Sequence, residues 1–194
     1  MKYLIIFTVI VLILAFVFVL IFTDWIIPQR AYSQDEIPEE VIDGHRKDNS
    51  NVSAQKSVES NRIIDFSLEF STLSWADDQY FGEGIYRLEA KKTDEKVYVK
   101  YEFNPYDGDR EVYEAEADEN FLISLDKSVK EYGISEFNGK DVFVSGLPDM
   151  YGERISILYE SGETVYASDN QDGFICRDAF VQIEMLFAEA TKTE

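Results

Sequence analysis

Residues 63–70, IIDFSLEF, alternate apolar and polar side chains with a period of two. The apolar side chains share one face of an extended chain: Ile64, Phe66, Leu68 and Phe70. The polar side chains share the other face: Asp65, Ser67 and Glu69. Because successive side chains of a strand point to opposite faces, this pattern predicts a strand with one buried face. We therefore expect a folded domain to begin near residue 63 and to extend to the end of the chain.

Further strands and turns follow this first strand. Residues 85–90, 97–103 and 110–117 are predicted strands; the turn TDEK joins the first two into a hairpin, and NPYDGD precedes the third. A second hairpin is predicted from residues 154–160 and 164–168, around Ser161 and Gly162. Between the hairpins, residues 134–139 are predicted to be a connector and residues 146–152 a loop.

The hydrophobic period changes to that of a helix in two places. After Asp118, a predicted N-cap, and before Gly133, a predicted helix stop, apolar residues recur at helical spacing: Phe121, Leu122, Leu125, Val129 and Tyr132. A closing helix is predicted over residues 177–190, with one apolar side: Phe180, Ile183, Phe187 and Ala190, widened by Met185 and Leu186. The order ββββαββα predicts an α+β domain, an antiparallel sheet of about six strands with two helices on one face.

The stretch before the domain, residues 31–62, is polar and its scattered apolar residues have no period. Such a composition buries too little apolar surface to offset the entropy of ordering, so a disordered polar tether is predicted. His45, the only histidine, lies in this stretch. A catalytic histidine needs a packed neighbourhood, and we therefore expect His45 to be a solvated residue.

An uninterrupted apolar run begins at Tyr3 and ends at Phe22, YLIIFTVIVLILAFVFVLIF. As a helix it would extend roughly 30 Å, the thickness of the hydrocarbon core of a bilayer. A cleaved signal sequence would have a shorter apolar core and a small-residue cleavage site, and neither is present. Residues 1–30 are therefore predicted to form a single-pass transmembrane anchor with its interface. Lys2 precedes the run and Asp24 follows it, which predicts a cytoplasmic amino terminus and an extracytoplasmic domain at the cell membrane.

The chain carries 38 acidic and 18 basic side chains, a formal net charge of −20. A field of this sign repels phosphate and excludes nucleic acid as a partner. The predicted partner of residues 3–22 is the lipid bilayer. For the rest of the chain, the negative charge favours a cationic protein, a component of the cell wall or a divalent ion as partner. The single cysteine, Cys176, cannot form an intrachain disulfide and is expected to be a small core residue.

No sequence motif of catalysis or cofactor binding is present: no phosphate-binding glycine loop, paired cysteines, HExxH or nucleophile elbow. We therefore predict no catalytic, cofactor-binding or metal-ligating residue, no cofactor and no enzymatic activity. Two acidic loops depart from the calcium-binding hand, since Phe103 occupies the first ligand position of one and Ala179 the last of the other.

A binding or structural module at the cell surface is the function that the sequence favours. Its candidate contacts are aromatic residues in predicted loops: Trp75, Tyr80, Phe81 and Tyr106. Two alternatives stay open. One is weak divalent-cation binding by the acidic loops that contain Asp107, Asp109, Asp169 and Asp172. The other is a carboxylate-dependent cell-wall hydrolase, which needs only two suitably spaced acids.

The segments KEYGISEFNG and ILYESGETVYAS, with the closing helix, resemble a group of membrane-anchored or lipoprotein-type extracytoplasmic domains of Gram-positive bacteria. The shared features are a helix that ends in a Tyr-Gly-Ile turn, an aromatic-Asn-Gly step and a Tyr-x-x-Gly hairpin. The matching residues are Tyr132, Gly133, Ile134, Phe137, Asn138, Gly139, Tyr159 and Gly162. The group usually has Trp at the position of Phe137. The resemblance covers residues 63–190 and implies an extracytoplasmic domain without a known activity.

Overall fold

The computed structural model describes residues 44–192 except residues 74, 76–77, 95 and 148–150. The predicted membrane anchor, residues 3–22, and the first part of the predicted tether lie outside these residues. Within the described part of the chain, no helix is long and apolar enough to cross a membrane.

The described residues form one mixed but mostly antiparallel sheet with two α-helices, which confirms the predicted α+β class. The strands are β1 (Arg46–Asp48), β2 (Ile63–Ser71), β3 (Gly84–Lys92), β4 (Val97–Pro105), β5 (Glu111–Ala117), β6 (Asp141–Val144), β7 (Glu153–Tyr159) and β8 (Thr164–Asp169). The helices are α1 (Glu119–Glu131) and α2 (Arg177–Lys192), and a 3-10 helix (Ile134–Phe137) follows α1. The strand order is β1-β6-β8-β7-β2-β3-β4-β5, and only β6 and β8 pair in parallel. The prediction of about six strands was therefore too low, since the described residues form eight.

Both helices cover the face of the sheet from which the apolar residues of β2 project. The rings of Phe66 and Phe187 lie 5.9 Å apart, and those of Phe70 and Phe180 lie 4.3 Å apart. Phe121 of α1 joins the same core through Phe187, at 5.0 Å. We call this the inner face and its opposite the open face.

One residue of the predicted buried face of β2 was assigned wrongly. Ile63, not Ile64, is fully buried, because the pairing of β2 with β7 shifts register between Ile63 and Asp65. The extra residue of a β-bulge interrupts the alternation of faces, so a strict period of two assigns the residue before it to the wrong face.

Helix α1 begins and ends where the sequence predicts, and α2 begins at Arg177 as predicted but ends at Lys192, two residues beyond the predicted end. The Asp118 carboxylate accepts a hydrogen bond from the backbone N–H of Asn120 at 2.9 Å, and Gly133 has a φ of +62° directly after α1. In α2, Phe180, Ile183 and Phe187 are fully buried, as expected. The prediction for Met185 was wrong, because its side chain is 49% exposed.

Residues 44–62, which we call the strap, lie along the domain although their sequence predicts a tether. Strand β1 adds to the sheet edge beside β6. The Asn51 N–H donates to the carbonyl of Gly139 at 2.7 Å, and the Glu163 carboxylate accepts the backbone N–H groups of Glu59 and Ser60. The folded domain therefore includes residues before the predicted boundary at residue 63. Hydrogen bonds to the backbone hold the strap, and they leave no hydrophobic period in the sequence.

The Phe137-Asn138-Gly139 step has a structural role in this arrangement. The Asn138 side chain accepts from the N–H of Tyr166 and donates to the carbonyls of Gln55 and Thr164. Gly139 has a φ of +83°, and a Cβ atom there would lie 2.5 Å from the carbonyl oxygen of Asn51. The step therefore joins the strap to β8 and allows their backbones to approach closely.

A candidate binding groove on the open face

A row of polar side chains crosses the open face, each directly opposite the next in the strand register. We call this set the polar row: Asp141 (β6), Ser168 (β8), Arg154 (β7), Glu69 (β2), Arg87 (β3) and Glu102 (β4). The row exists because each of these residues alternates with core residues along its own strand. Its two ends have different electrostatics.

At the β4 end, the charges of the polar row neutralise one another. Glu102 is only 1% exposed, because Arg87, Lys100 and Arg110 surround it at 2.9, 3.3 and 2.5 Å. Burial raises the pKa of Glu102, but hydrogen bonds from these three cations outweigh burial and hold the pKa at about 2. Arg87 also binds Glu69, with Nε 2.5 Å from the carboxylate. This end of the row is therefore saturated with partners.

At the β6 end, the polar groups are free. Asp141 and Arg154 form no side-chain hydrogen bond or ion pair with any other residue in the described part of the chain. Glu69 lies opposite Arg154 in the register, but its carboxylate is bound by Arg87. One carboxylate on β6 and one guanidinium on β7 therefore face solvent, and β8 lies between these strands with the Ser168 hydroxyl between the two charged groups.

A cavity of about 380 Å³ lies over this free end of the polar row, and we call it the groove. Three exposed aromatic side chains line it together with the polar groups: Phe143, Tyr151 and Tyr166, which are 52, 38 and 43% exposed. Phe143 lies two residues after Asp141, whereas Tyr166 lies two residues before Ser168 on the parallel strand. The two rings therefore flank the polar row on opposite sides, roughly 13 Å apart along the strands at about 3.3 Å per residue.

The end of the groove is built by a close approach of two loops. Gly152 has a φ of +96°, and a Cβ atom there would lie 2.2 Å from the carbonyl oxygen of Asp169. The Asn170 side chain accepts from the N–H of Val144 at 2.7 Å and donates to its carbonyl at 2.9 Å, as a further residue of a strand would. These contacts fix the loop backbone, so the groove is preformed.

Two buried acidic residues, Glu153 and Asp169, lie opposite each other in the register of β7 and β8, on the inner face next to the groove. Glu153 accepts the N–H groups of Phe174 and Ile175, and burial raises its pKa. Burial also raises the pKa of Asp169, but the ion pair with Lys140 at 2.8 Å and backbone hydrogen bonds outweigh it and lower that pKa. Catalysis by two carboxyl groups uses acids whose pKa values are shifted in opposite directions. Here, however, the carboxylate oxygens accept hydrogen bonds from backbone N–H groups and position the loop that leads into α2.

The predicted aromatic contacts lie elsewhere. Phe81 is buried, and Trp75 packs 5.3 Å from Phe180 in the core, so their assignment as surface contacts was wrong. Tyr80 and Tyr106 are exposed, but Tyr80 donates its hydroxyl to Glu184 at 2.5 Å. The sequence does indicate the position of Tyr166, because polar and apolar side chains alternate in TVYAS. This alternation places Tyr166 on the other face of the strand from Val165 and Ala167.

The remaining predictions about individual residues have mixed outcomes. Cys176 is exposed, and the expectation of a core residue was wrong. Its carbonyl instead accepts the N–H of Ala179 at the start of α2. His45 is exposed, as expected. Of the acidic loop residues, Asp107 and Asp109 are exposed. The described residues contain no group of three or more His, Cys, Asp or Glu side chains that could hold a metal ion.

Comparisons with protein-family models, with curated proteins and with solved structures find no match to this chain.

Proposed function

We propose that this protein is a binding module of the cell surface, anchored in the membrane by residues 3–22, and that the groove is its ligand site. The observation that carries this proposal is the pairing of free polar side chains with exposed aromatic rings in one preformed cavity. A volume of about 380 Å³ lies within the range of small-molecule and oligomer sites, which is roughly 300–1,000 Å³.

The anchor places the domain where such a ligand would be met. The apolar run of residues 3–22 is long enough for one span, and Lys2 on its amino-terminal side favours export of the rest of the chain. The resemblance to extracytoplasmic domains of Gram-positive bacteria supports the same location.

An uncharged glycan chain of the cell wall is the ligand class that the groove fits best. Sugar hydroxyls can bind the Asp141 carboxylate, the Arg154 guanidinium and the Ser168 hydroxyl together, since these groups offer both acceptors and donors. The apolar faces of sugar rings can pack on aromatic rings such as Phe143 and Tyr166. An anionic polymer would be repelled by a net charge of −20, whereas an uncharged one would not.

Co-sedimentation of the full chain, in detergent micelles, with purified cell-wall glycan tests the proposal. We expect the double variant Phe143→Ala with Tyr166→Ala to lose at least tenfold in affinity, because each ring contributes about 1 kcal/mol or more of contact. Tyr98→Ala is the matched control, since Tyr98 is 51% exposed on the open face but lies on β4, outside the groove. Unchanged binding by the double variant, or an equal loss with Tyr98→Ala, would refute the assignment of the groove.

A further inference from the structure

The two edges of the sheet differ in a way that the groove does not explain. At one edge, β1 has only three residues, Arg46–Asp48. At the other edge, β5 has seven, Glu111–Ala117, paired with β4 without a register shift. Short or interrupted edge strands are protected against the addition of another strand, and β5 has neither feature.

The outer side of β5 offers unpaired backbone groups. No strand among the described residues pairs with β5 on the side away from β4. In an antiparallel ladder, alternate residues direct their N–H and C=O groups away from the existing neighbour. A seven-residue edge therefore presents a row of donors and acceptors to any extended chain that lies beside it.

The side chains of β5 determine which chain can pair there. Its exposed acidic side chains are Glu111, Glu114 and Glu116. Glu114 and Glu116 project on the open face with Val112, because they pair with Lys100, Tyr98 and Glu102 of β4. On the inner face, Ala115 and Ala117 are half-buried, whereas Tyr113 and Glu111 are exposed. A pairing strand would therefore need basic residues on one face, opposite Glu114 and Glu116, and apolar residues on the other, opposite Tyr113, Ala115 and Ala117.

We propose that the outer edge of β5 binds an extended, cationic segment of a partner protein by strand addition. Directly opposed charges of unlike sign stabilise a pair of strands, and like charges destabilise it. A second copy of β5 would bring glutamates against glutamates, so self-association is disfavoured. A segment with Lys or Arg at alternate positions would instead match Glu114, and would compete with Lys96 for Glu116.

Fluorescence anisotropy with labelled peptides and the full chain in micelles tests this site. The probe is a seven-residue peptide of alternating Lys and Val. We expect this peptide to bind more weakly as salt is added, and its counterpart with Glu in place of Lys not to bind. A third peptide, the Lys–Val sequence with alternate backbone nitrogens methylated, keeps the charge but cannot donate to β5. It should bind at least tenfold more weakly than the parent.

Substitutions in the protein give a second and independent measure. The double variant Glu114→Gln with Glu116→Gln should weaken binding by about five- to tenfold, from the loss of two cross-strand charge pairs. Glu89→Gln is the matched control, because Glu89 is half-exposed on the open face but lies on β3, away from the edge. Hydrogen exchange should slow at the amides of β5 when the peptide binds. Equal binding of the methylated peptide, or unchanged exchange in β5, would overturn strand addition whatever the variants do.

Discussion

The carboxylate of Glu102 provides a direct test of how the open face is stabilised. Glu102→Gln keeps the size and one acceptor oxygen of the side chain but removes the charge that three cations share. Arg87 would keep Glu69 as a partner, and Lys100 would keep Glu89. The variant should therefore fold, with the cations less well balanced.

The expected loss follows from the pKa. A carboxyl group with a pKa of about 2 in the folded state, against its ordinary value of 4.5, contributes about 3 kcal/mol to the free energy of unfolding at pH 7. We expect Glu102→Gln to remove about 2–3 kcal/mol and to lower the melting temperature by roughly 6–9 °C. Because the folded-state pKa is depressed, this contribution is complete above about pH 5.5 and is lost as the pH falls from about 4.5 towards 2.

Urea unfolding of a fragment of residues 41–194, with and without Glu102→Gln and at several pH values from 7 to 3, measures the difference in unfolding free energy between the parent and the variant. It should be nearly constant from pH 7 to pH 5.5 and fall to about half by pH 3. Glu89→Gln, at an exposed ion pair of 3.7 Å, should differ from the parent by less than about 0.5 kcal/mol at every pH. A Glu102→Gln difference that stays the same down to pH 3 would show that packing, not charge, explains the loss.

Three further changes have expected outcomes. Protease added to intact, wall-stripped cells should remove the domain and leave residues 3–22 in the membrane; mature protein that begins near residue 24 in the medium would mean that the run is a cleaved signal. Gly139→Ala should cost about 2–3 kcal/mol of unfolding free energy, against about 1 kcal/mol for Gly162→Ala, because both positions have positive φ but only Gly139 is crowded by the strap; equal losses would contradict that crowding. Arg87→Gln should weaken glycan binding, since Glu69 is then free to pair with Arg154, and adding Glu69→Gln should restore it; failure of that rescue would contradict the pairing.

The sequence predicted those elements whose stability comes from a periodic apolar face. The strands beginning at Ile63, Gly84 and Val97, and both helices, bury residues at spacings that are visible in the sequence. Strand β6 has only the four residues DVFV, too few to establish a period. The strap is held by groups such as Asn138 and Glu163, whose hydrogen bonds reach backbone groups distant in the sequence. Such contacts depend on the tertiary fold, so a local pattern cannot predict them.

The free guanidinium of Arg154 follows from the order of charges in the polar row. Glu69 lies between two arginines in the register, and its carboxylate pairs with Arg87. Arg87 holds it because Arg87 is itself fixed by the buried Glu102, so little further side-chain entropy is lost in binding Glu69. Arg154 has no such support and remains solvated at the groove. The ion pairs at the β4 end of the polar row therefore keep Glu69 away from Arg154. A ligand at the groove does not need to break an ion pair of Arg154 before it binds.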